Sequence, residues 1–222
     1  MSPPVQTRDE LVVQIVEICH LLAARGMVAA TDGNVSARLS PDSILITRSG
    51  VNKGMVGPGD IVEIDASGRL RSGEGKPSTE AGLHLCIYAR RPDVAAVVHA
   101  HPVHATGFAA ARVVLDHTVL PEAAVGLGPV PLAPYATPST PEVAASIEPF
   151  IGTADAILLA NHGVVTCGPS LLEAWFRMET VEHVAAVLFV ARALGGECRL
   201  SSSELERLAA VSPASYGKEL HR

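Results

Sequence analysis

The chain has 222 residues, of which 48% are hydrophobic, 18% charged and 4% aromatic, with a net charge of −6. That length suffices for one sizeable domain with a complete core, and 1–222 reads as a single domain. The acidic balance and the absence of a dense Lys/Arg cluster argue against nucleic-acid and anionic-membrane partners, and the few aromatics against base-stacking platforms.

Thr7-Arg8-Asp9-Glu10 has the form of a capping box, so a helix is expected from there to about Ala24, ended by Gly26. Leu11, Ile15, Ile18, Cys19 and Leu22 recur along it at helical spacing. The loop Thr31-Asp32-Gly33-Asn34 leads into the alternating strand Val35–Leu39. Pro41-Asp42 turns the chain into a second strand, Ile44–Thr47. Residues 61–65 and 68–70 read as a hairpin around Ala66-Ser67. After the loop 72–78, a helix is expected to start near Ser78 or Thr79 and to carry Glu80, Leu83, His84 and Ile87. A strand then runs to His99, followed by a helix from about Val103 to Ala111. Residues 116–141 are rich in Pro and Gly and give no clear pattern. Pro141 sits at the first turn of a helix to Phe150. A strand over 156–160, the segment Gly163–Gly168, a long amphipathic helix over 170–194 and a shorter helix over 203–211 complete the chain. Strands mixed with helices give an α/β or α+β class.

Cys19, Cys86, Cys167 and Cys198 form no CxxC pair and lie in apolar segments, which fits reduced core thiols. No apolar run reaches the ~20 residues that span a bilayer. The first residues lack a signal-peptide pattern, so the cytoplasm is the expected compartment.

His99-Ala100-His101 ends an apolar run. Residues i and i+2 of a strand share a side, which places two imidazoles together at a strand end. His162 ends a second apolar run. Imidazole nitrogens with a carboxylate oxygen form a catalytic metal site that leaves room for water or substrate, and Glu80 is the candidate oxygen donor. His104 is a competing ligand. His20, His84, His117, His183 and His221 lack such a setting and read as structural or surface residues. Three polar loops, Gly33-Asn34 with Ser36, Ser49-Gly50 and Ser78-Thr79, combine hydroxyls, glycine N–H groups and a helix start, the ingredients of an anion cradle. Each alone is ordinary turn and cap chemistry.

The segments Gly33-Asn34-Val35-Ser36, Thr47-Arg48-Ser49-Gly50, Pro77-Ser78-Thr79-Glu80, Val97–His104, Ala133–Thr137 and Asn161-His162-Gly163, in this order, resemble the class II aldolase/adducin family, nearest its fuculose-phosphate-cleaving branch. The resemblance implies a three-layer αβα sandwich with a central, mainly antiparallel sheet. It also implies a homotetramer with active sites at subunit interfaces. It implies zinc held by His99, His101 and His162, with Glu80 as a displaceable fourth ligand and proton-transfer base. Manganese or cobalt would suit the same donors. By the same match, Gly33, Asn34, Ser49, Gly50, Ser78 and Thr79 hold a sugar phosphate. The activity implied is cleavage of a ketose 1-phosphate, L-fuculose 1-phosphate or a related 5-deoxypentulose phosphate, to dihydroxyacetone phosphate and an aldehyde.

Two positions on the aldehyde side carry the substrate question. A family tyrosine from the neighbouring subunit falls on Leu120, beside Glu122, and a tail tyrosine matches Tyr216, followed by Gly217. The family also contains pentulose-5-phosphate 4-epimerases, sugar-acid phosphate decarboxylases, methylthioribulose-phosphate dehydratases and non-enzymatic adducin-like modules. The adducin-like alternative need not keep a metal site, whereas all three histidines and Glu80 are present here.

Overall fold

The computed structural model describes residues 6–216, with side chains to Val211. Thr7 caps α1 (Arg8–Ala24): its Oγ1 accepts the Glu10 N–H, and the Glu10 carboxylate accepts the Thr7 N–H. The buried stripe of α1 is Leu11, Ile15, Ile18, Cys19 and Leu22, as the spacing predicts.

β1 (Asn34–Ser40), β2 (Ser43–Thr47), β3 (Ile61–Asp65) and β4 (Leu70–Ser72) form an antiparallel meander. α2 (Ala81–Arg90) leads to β5 (Ala96–Ala100), which pairs with β1 so that Asn34 stands opposite His99. α3 (Val103–Ala111) follows. The segment without a clear sequence pattern forms a 3-10 turn at His117–Val119, the one-and-a-half-turn α4 (Pro121–Gly126) and the two-residue β6 (Leu132–Ala133). These pieces are too short for periodicity to register. α5 (Pro141–Ile151), β7 (Ala156–Leu159), β8 (Gly163–Gly168), α6 (Leu171–Ala193) and α7 (Ser202–Tyr216) complete the fold. α7 extends past the expected 203–211.

One eight-stranded sheet runs β4-β3-β2-β1-β5-β8-β7-β6 and is antiparallel except for β6 with β7. Strand alternation sorts its residues to two faces. Val35, Ala37, Leu45, Val98 and Val164 pack in one cluster with α1, α3 and α6. Ile44, Ile46, Val62, Val97, Ile157 and Val165 pack in the other with α2 and α5. Each valine, leucine or isoleucine among them, fully buried, contributes about 1.5–3 kcal/mol relative to exposure. The result is the three-layer mixed α/β arrangement with a mainly antiparallel sheet. No helix among the described residues is long and apolar enough to cross a membrane. Cys19 and Cys167 are buried and Cys86 half-buried, but Cys198 is exposed, in the irregular stretch after α6, where no core element takes it in.

Candidate metal centre and anion pocket

His99 lies in β5 on the face that meets α2, and His101 follows one residue past the strand end. The His101 N–H donates to the Met27 carbonyl (2.9 Å), which ties the chain just past β5 to the segment after α1. His162 sits in the tight β7–β8 turn, where Asn161 adopts φ +57° and the His162 N–H donates to the Leu159 carbonyl. Asparagine tolerates this left-handed conformation better than most residues. The three rings stand in mutual contact, with centroids 4.9, 4.7 and 5.1 Å apart. One ligand nitrogen from each lies within 4.8 Å of the others.

Glu80 is the N-cap residue of α2, whose first helical residue is Ala81. Helix onset therefore comes later than the expected Ser78 or Thr79, because the Ala81 N–H bonds the Ser78 carbonyl and the Glu80 N–H the Ser78 hydroxyl. The carboxylate reaches the histidines: Oε2 is 3.3 Å from His99 Nε2 and Oε1 is 3.1 Å from His162 Nε2.

The residues present fit a divalent cation. His99 Nδ1 is 2.9 Å from the Val164 carbonyl, which fixes the proton on Nδ1 and leaves a lone pair on Nε2. His101 Nδ1 faces the Asp32 carboxylate at 3.5 Å, and His101 Nε2 is 3.1 Å from His99 Nε2. With His101 protonated on Nδ1, toward Asp32, both Nε2 atoms present lone pairs to the same point, an arrangement that a cation bridges. Glu80 Oε1 is buried without a hydrogen-bond partner of its own, an acceptor that a metal ion would satisfy. Three imidazoles and a carboxylate are the donor set of zinc and similar ions. Burial favours a raised Glu80 pKa, yet contact with the His162 and His99 rings and the Asn34 amide outweighs it and holds Glu80 well below the carboxylate range. Burial and then the neighbouring His99 and His162 lower the His101 pKa, so the ring is neutral and free to ligate.

The cluster forms one wall of a pocket of about 350 Å³. The other walls are Gly33 and Asn34, Ser49 and Gly50, and Ser78 and Thr79, so the structure brings all six expected cradle residues together with Glu80, His101 and His162. Gly33 is required by contact: at φ +74°, a Cβ there would lie 2.7 Å from Val28 Cγ1 and 2.9 Å from the His99 carbonyl oxygen. Ser36 is a correction to the cradle. It shares the face of Asn34 but lies two residues farther along β1, fully buried under α2 and outside the pocket lining, where it bonds His84 and Tyr88.

Sequence reasoning missed Asp32, Arg48, Lys53 and Ser139, which also line the pocket. Arg48 lies inside a motif whose serine and glycine alone were selected; its Nε donates to Asp60 Oδ1 at 2.7 Å. Lys53 is buried, donating to the Val51 (2.7 Å) and Thr31 (3.1 Å) carbonyls, and burial lowers its pKa. No local pattern distinguishes it from a surface lysine. Ser139 Oγ donates to Thr79 Oγ1 at 2.8 Å.

His104 is not part of the cluster. Its Nδ1 is 2.7 Å from Glu182 Oε1, and the Glu182 carboxylate accepts the His104 and Ala105 N–H groups at the start of α3. Leu120 packs against the α1–α3–α6 core, and Glu122 opens onto a separate depression beside His104 and His183. Neither lines the pocket. The side chain of Tyr216 lies outside the described residues, as does Gly217.

The family model of the Class II Aldolase and Adducin N-terminal domain matches residues 13–189. An L-fuculose phosphate aldolase of Haemophilus influenzae is 32% identical over 95% of this chain and 96% of its own length. A 3-oxo-tetronate 4-phosphate decarboxylase of Escherichia coli is also 32% identical, over 86% and 91%. Among solved structures, YgbL of Klebsiella pneumoniae, whose description spans aldolase, epimerase and decarboxylase, superposes with a TM-score of 0.84 at 29% identity, covering 91% of this chain and 99% of that one.

Proposed function

This chain belongs to the class II aldolase and adducin family, and from that premise we propose that it is a zinc-dependent aldolase that cleaves a ketose 1-phosphate to dihydroxyacetone phosphate and an aldehyde. The observation that carries the reading is the meeting, in one pocket, of His101, His162 and Glu80 with the glycine and hydroxyl loops 33–34, 49–50 and 78–79. One wall suits a metal and the opposite walls suit a phosphate.

The phosphate monoester binds to the hydroxyls of Ser49, Ser78 and Thr79 and to the N–H groups of Gly33 and Gly50, the Ser49 and Ser78 N–H groups being engaged by the Lys76 and Thr47 carbonyls, with Arg48 and Lys53 adding positive charge. Asn34 contributes less directly, since its amide nitrogen already donates to Glu80. Contacts remote from the scissile bond orient the ketone toward the histidines. A divalent ion on His99, His101 and His162 supplies, when bound, a Lewis acid for the charge that builds on the ketone oxygen. Cleavage leaves an electron pair on the carbon beside the ketone, and Glu80 delivers the proton to that carbon; in condensation it removes the same proton. Tyr216, by its match to the family's tail tyrosine, is assigned the hydroxyl proton of the aldehyde half.

Leu120 favours a second reading. An apolar residue packed in the core stands where the family's proton-transferring tyrosine is expected. Decarboxylation of a 3-oxo sugar-acid phosphate releases the same kind of electron pair beside a ketone but expels carbon dioxide, so it needs no group to handle an aldehyde hydroxyl.

We also infer a homotetramer in the cytoplasm. Val103 on α3 and Phe189 on α6, both exposed, line one apolar depression with Phe108 and Val113 that suits subunit contact. The four unpaired cysteines suit a reducing compartment. Light scattering at four times the monomer mass is expected, and a monomer rejects the assembly.

A substrate panel decides the chemistry. Zinc-loaded protein is incubated with L-fuculose 1-phosphate, 5-deoxypentulose 1-phosphates and a 3-oxo-tetronate 4-phosphate, following dihydroxyacetone phosphate and carbon dioxide separately. Dihydroxyacetone phosphate from a ketose 1-phosphate is expected. Carbon dioxide from the oxo acid alone moves the assignment to decarboxylation.

A further inference from the structure

Behind Glu80, a line of hydrogen bonds runs from the pocket wall into the layer beneath α2. Asn34 Nδ2 donates to Glu80 Oε2 at 2.9 Å. Asn34 Oδ1 is 2.5 Å from His84 Nε2, His84 Nδ1 is 2.6 Å from Ser36 Oγ, and Ser36 Oγ is 2.8 Å from the Tyr88 hydroxyl. Asn34, Ser36, His84 and Tyr88 are all buried. The arrangement follows from two periodicities: Asn34 and Ser36 are i and i+2 on β1, while His84 and Tyr88 are i and i+4 on the helix above.

Counting donors and acceptors leaves one polarity. A carboxylate only accepts, so Asn34 turns its nitrogen to Glu80 and its oxygen to His84. His84 must then carry its proton on Nε2. Its Nδ1 is an acceptor, filled by the Ser36 hydroxyl, and the Ser36 oxygen accepts from Tyr88. Burial, then the neighbouring His99, pushes the His84 pKa down to about 3, which keeps the ring neutral.

We propose that His84 is a positioning residue for Glu80: acting through Asn34, it keeps an N–H rather than a carbonyl against the carboxylate and so holds Glu80 in one orientation between the histidines and the pocket. Without the His84 donor, nothing polar fixes the Asn34 amide, and its oxygen is free to turn toward the carboxylate. The proposal rests on the reading above in taking Glu80 as the proton-transfer group.

The test uses the zinc-loaded full chain labelled with ¹⁵N-histidine. Long-range ¹H–¹⁵N spectra across neutral pH are expected to show His84 protonated on Nε2 alone. A proton on Nδ1 or a doubly protonated ring overturns the proposal. His84→Leu is expected to lower kcat and zinc affinity by roughly 10–100-fold, the usual cost of losing a partner behind a metal ligand. KM for the sugar phosphate and affinity for inorganic phosphate should stay unchanged, and His84→Gln, which retains an N–H donor, should recover part of the loss. Phosphate affinity falling in step with kcat indicates general disorder of the site and overturns positioning. If His84→Leu does not fold, His84→Phe, nearer in shape to the imidazole, replaces it and is read by the same kcat, zinc affinity and phosphate affinity; unchanged kcat and zinc affinity are the contrary result. If the wild-type protein cleaves no sugar phosphate, the proposed function falls, while the spectra and zinc affinities still decide the role of His84.

Discussion

Gly163 packs directly against His101: a Cβ added there would lie 2.5 Å from His101 Cδ2 and 2.5 Å from the Ala100 carbonyl oxygen. The β7–β8 turn thus brings its backbone against the β5 strand end, with His162 on one side of the contact and His101 on the other. Gly163→Ala is expected to push the His101 ring out of line and lower zinc affinity, with the helical content of the protein retained. Elemental analysis after dialysis against a graded zinc buffer checks this, and wild-type affinity refutes it.

His99→Ala removes the most deeply buried ring of the cluster, the one whose Nδ1 is tied to Val164. Stoichiometric zinc should be lost. Retention of one zinc per chain contradicts the ligand set.

Glu80→Gln keeps the size of the side chain but replaces an acceptor-only group. The fold should persist and turnover should fall by about 10²–10⁴-fold, the range of a lost general acid or base. A steady-state assay on the substrate found in the panel measures the drop, and near-normal kcat rejects the assignment.

Stability should fall with acidification in the metal-free protein. His84 shifts from 6.5 to about 3 because burial disfavours its charged form. Below pH 6.5 the unfolded chain therefore binds a proton that the folded chain refuses, so this contribution is complete above 6.5 and is lost as the pH falls toward 3. The slope from one such group reaches at most about 1.4 kcal/mol per pH unit. Urea unfolding midpoints at neutral and mildly acidic pH should differ in that sense, and His84→Gln should flatten the difference.

Asp155 offers a contrast far from the pocket. Its carboxylate accepts from Arg91 Nη2 at 2.8 Å and Arg177 Nη2 at 2.7 Å, joining α2 to α6 across the start of β7. Asp155→Asn takes from the largely buried Arg177 the carboxylate it pairs with, while Arg91 keeps Asp93, and a loss of about 3 kcal/mol is expected. Thermal or urea unfolding measures it, and zinc content should not change in the folded fraction.

The sequence made the long elements and the reactive tips legible for a common reason: both depend on short-range pattern. The helical stripe of α1 and the His99–His101 pair follow from spacings of four residues or fewer. The order of strands in the sheet rests on pairings such as Asn34 with His99, which no local pattern records. The same holds inside the site. Ser49, Gly50, Ser78 and Thr79 are visible as turn and cap residues, whereas Lys53 becomes a pocket residue only when the chain folds the Thr31 carbonyl, 22 residues away, onto its ammonium. Ser36 looked like part of the cradle because it adjoins Gly33-Asn34 in sequence, but strand geometry carried it under α2 instead. His84, set aside for lack of a strand-end setting, owes its link to Glu80 wholly to tertiary packing.

The candidate ligands come from three separate stretches, at Glu80, at His99 and His101, and at His162, joined only when β5, β8 and the cap of α2 are in register. An extended chain offers no such convergence, so a metal ion held by these residues would favour the native form. Its occupancy then becomes a thermodynamic handle on the whole molecule. At a free concentration a hundred times the dissociation constant, mass action alone adds about 2.7 kcal/mol to the unfolding free energy. The melting temperature should therefore climb with the logarithm of zinc concentration, a behaviour that requires neither substrate nor turnover to observe.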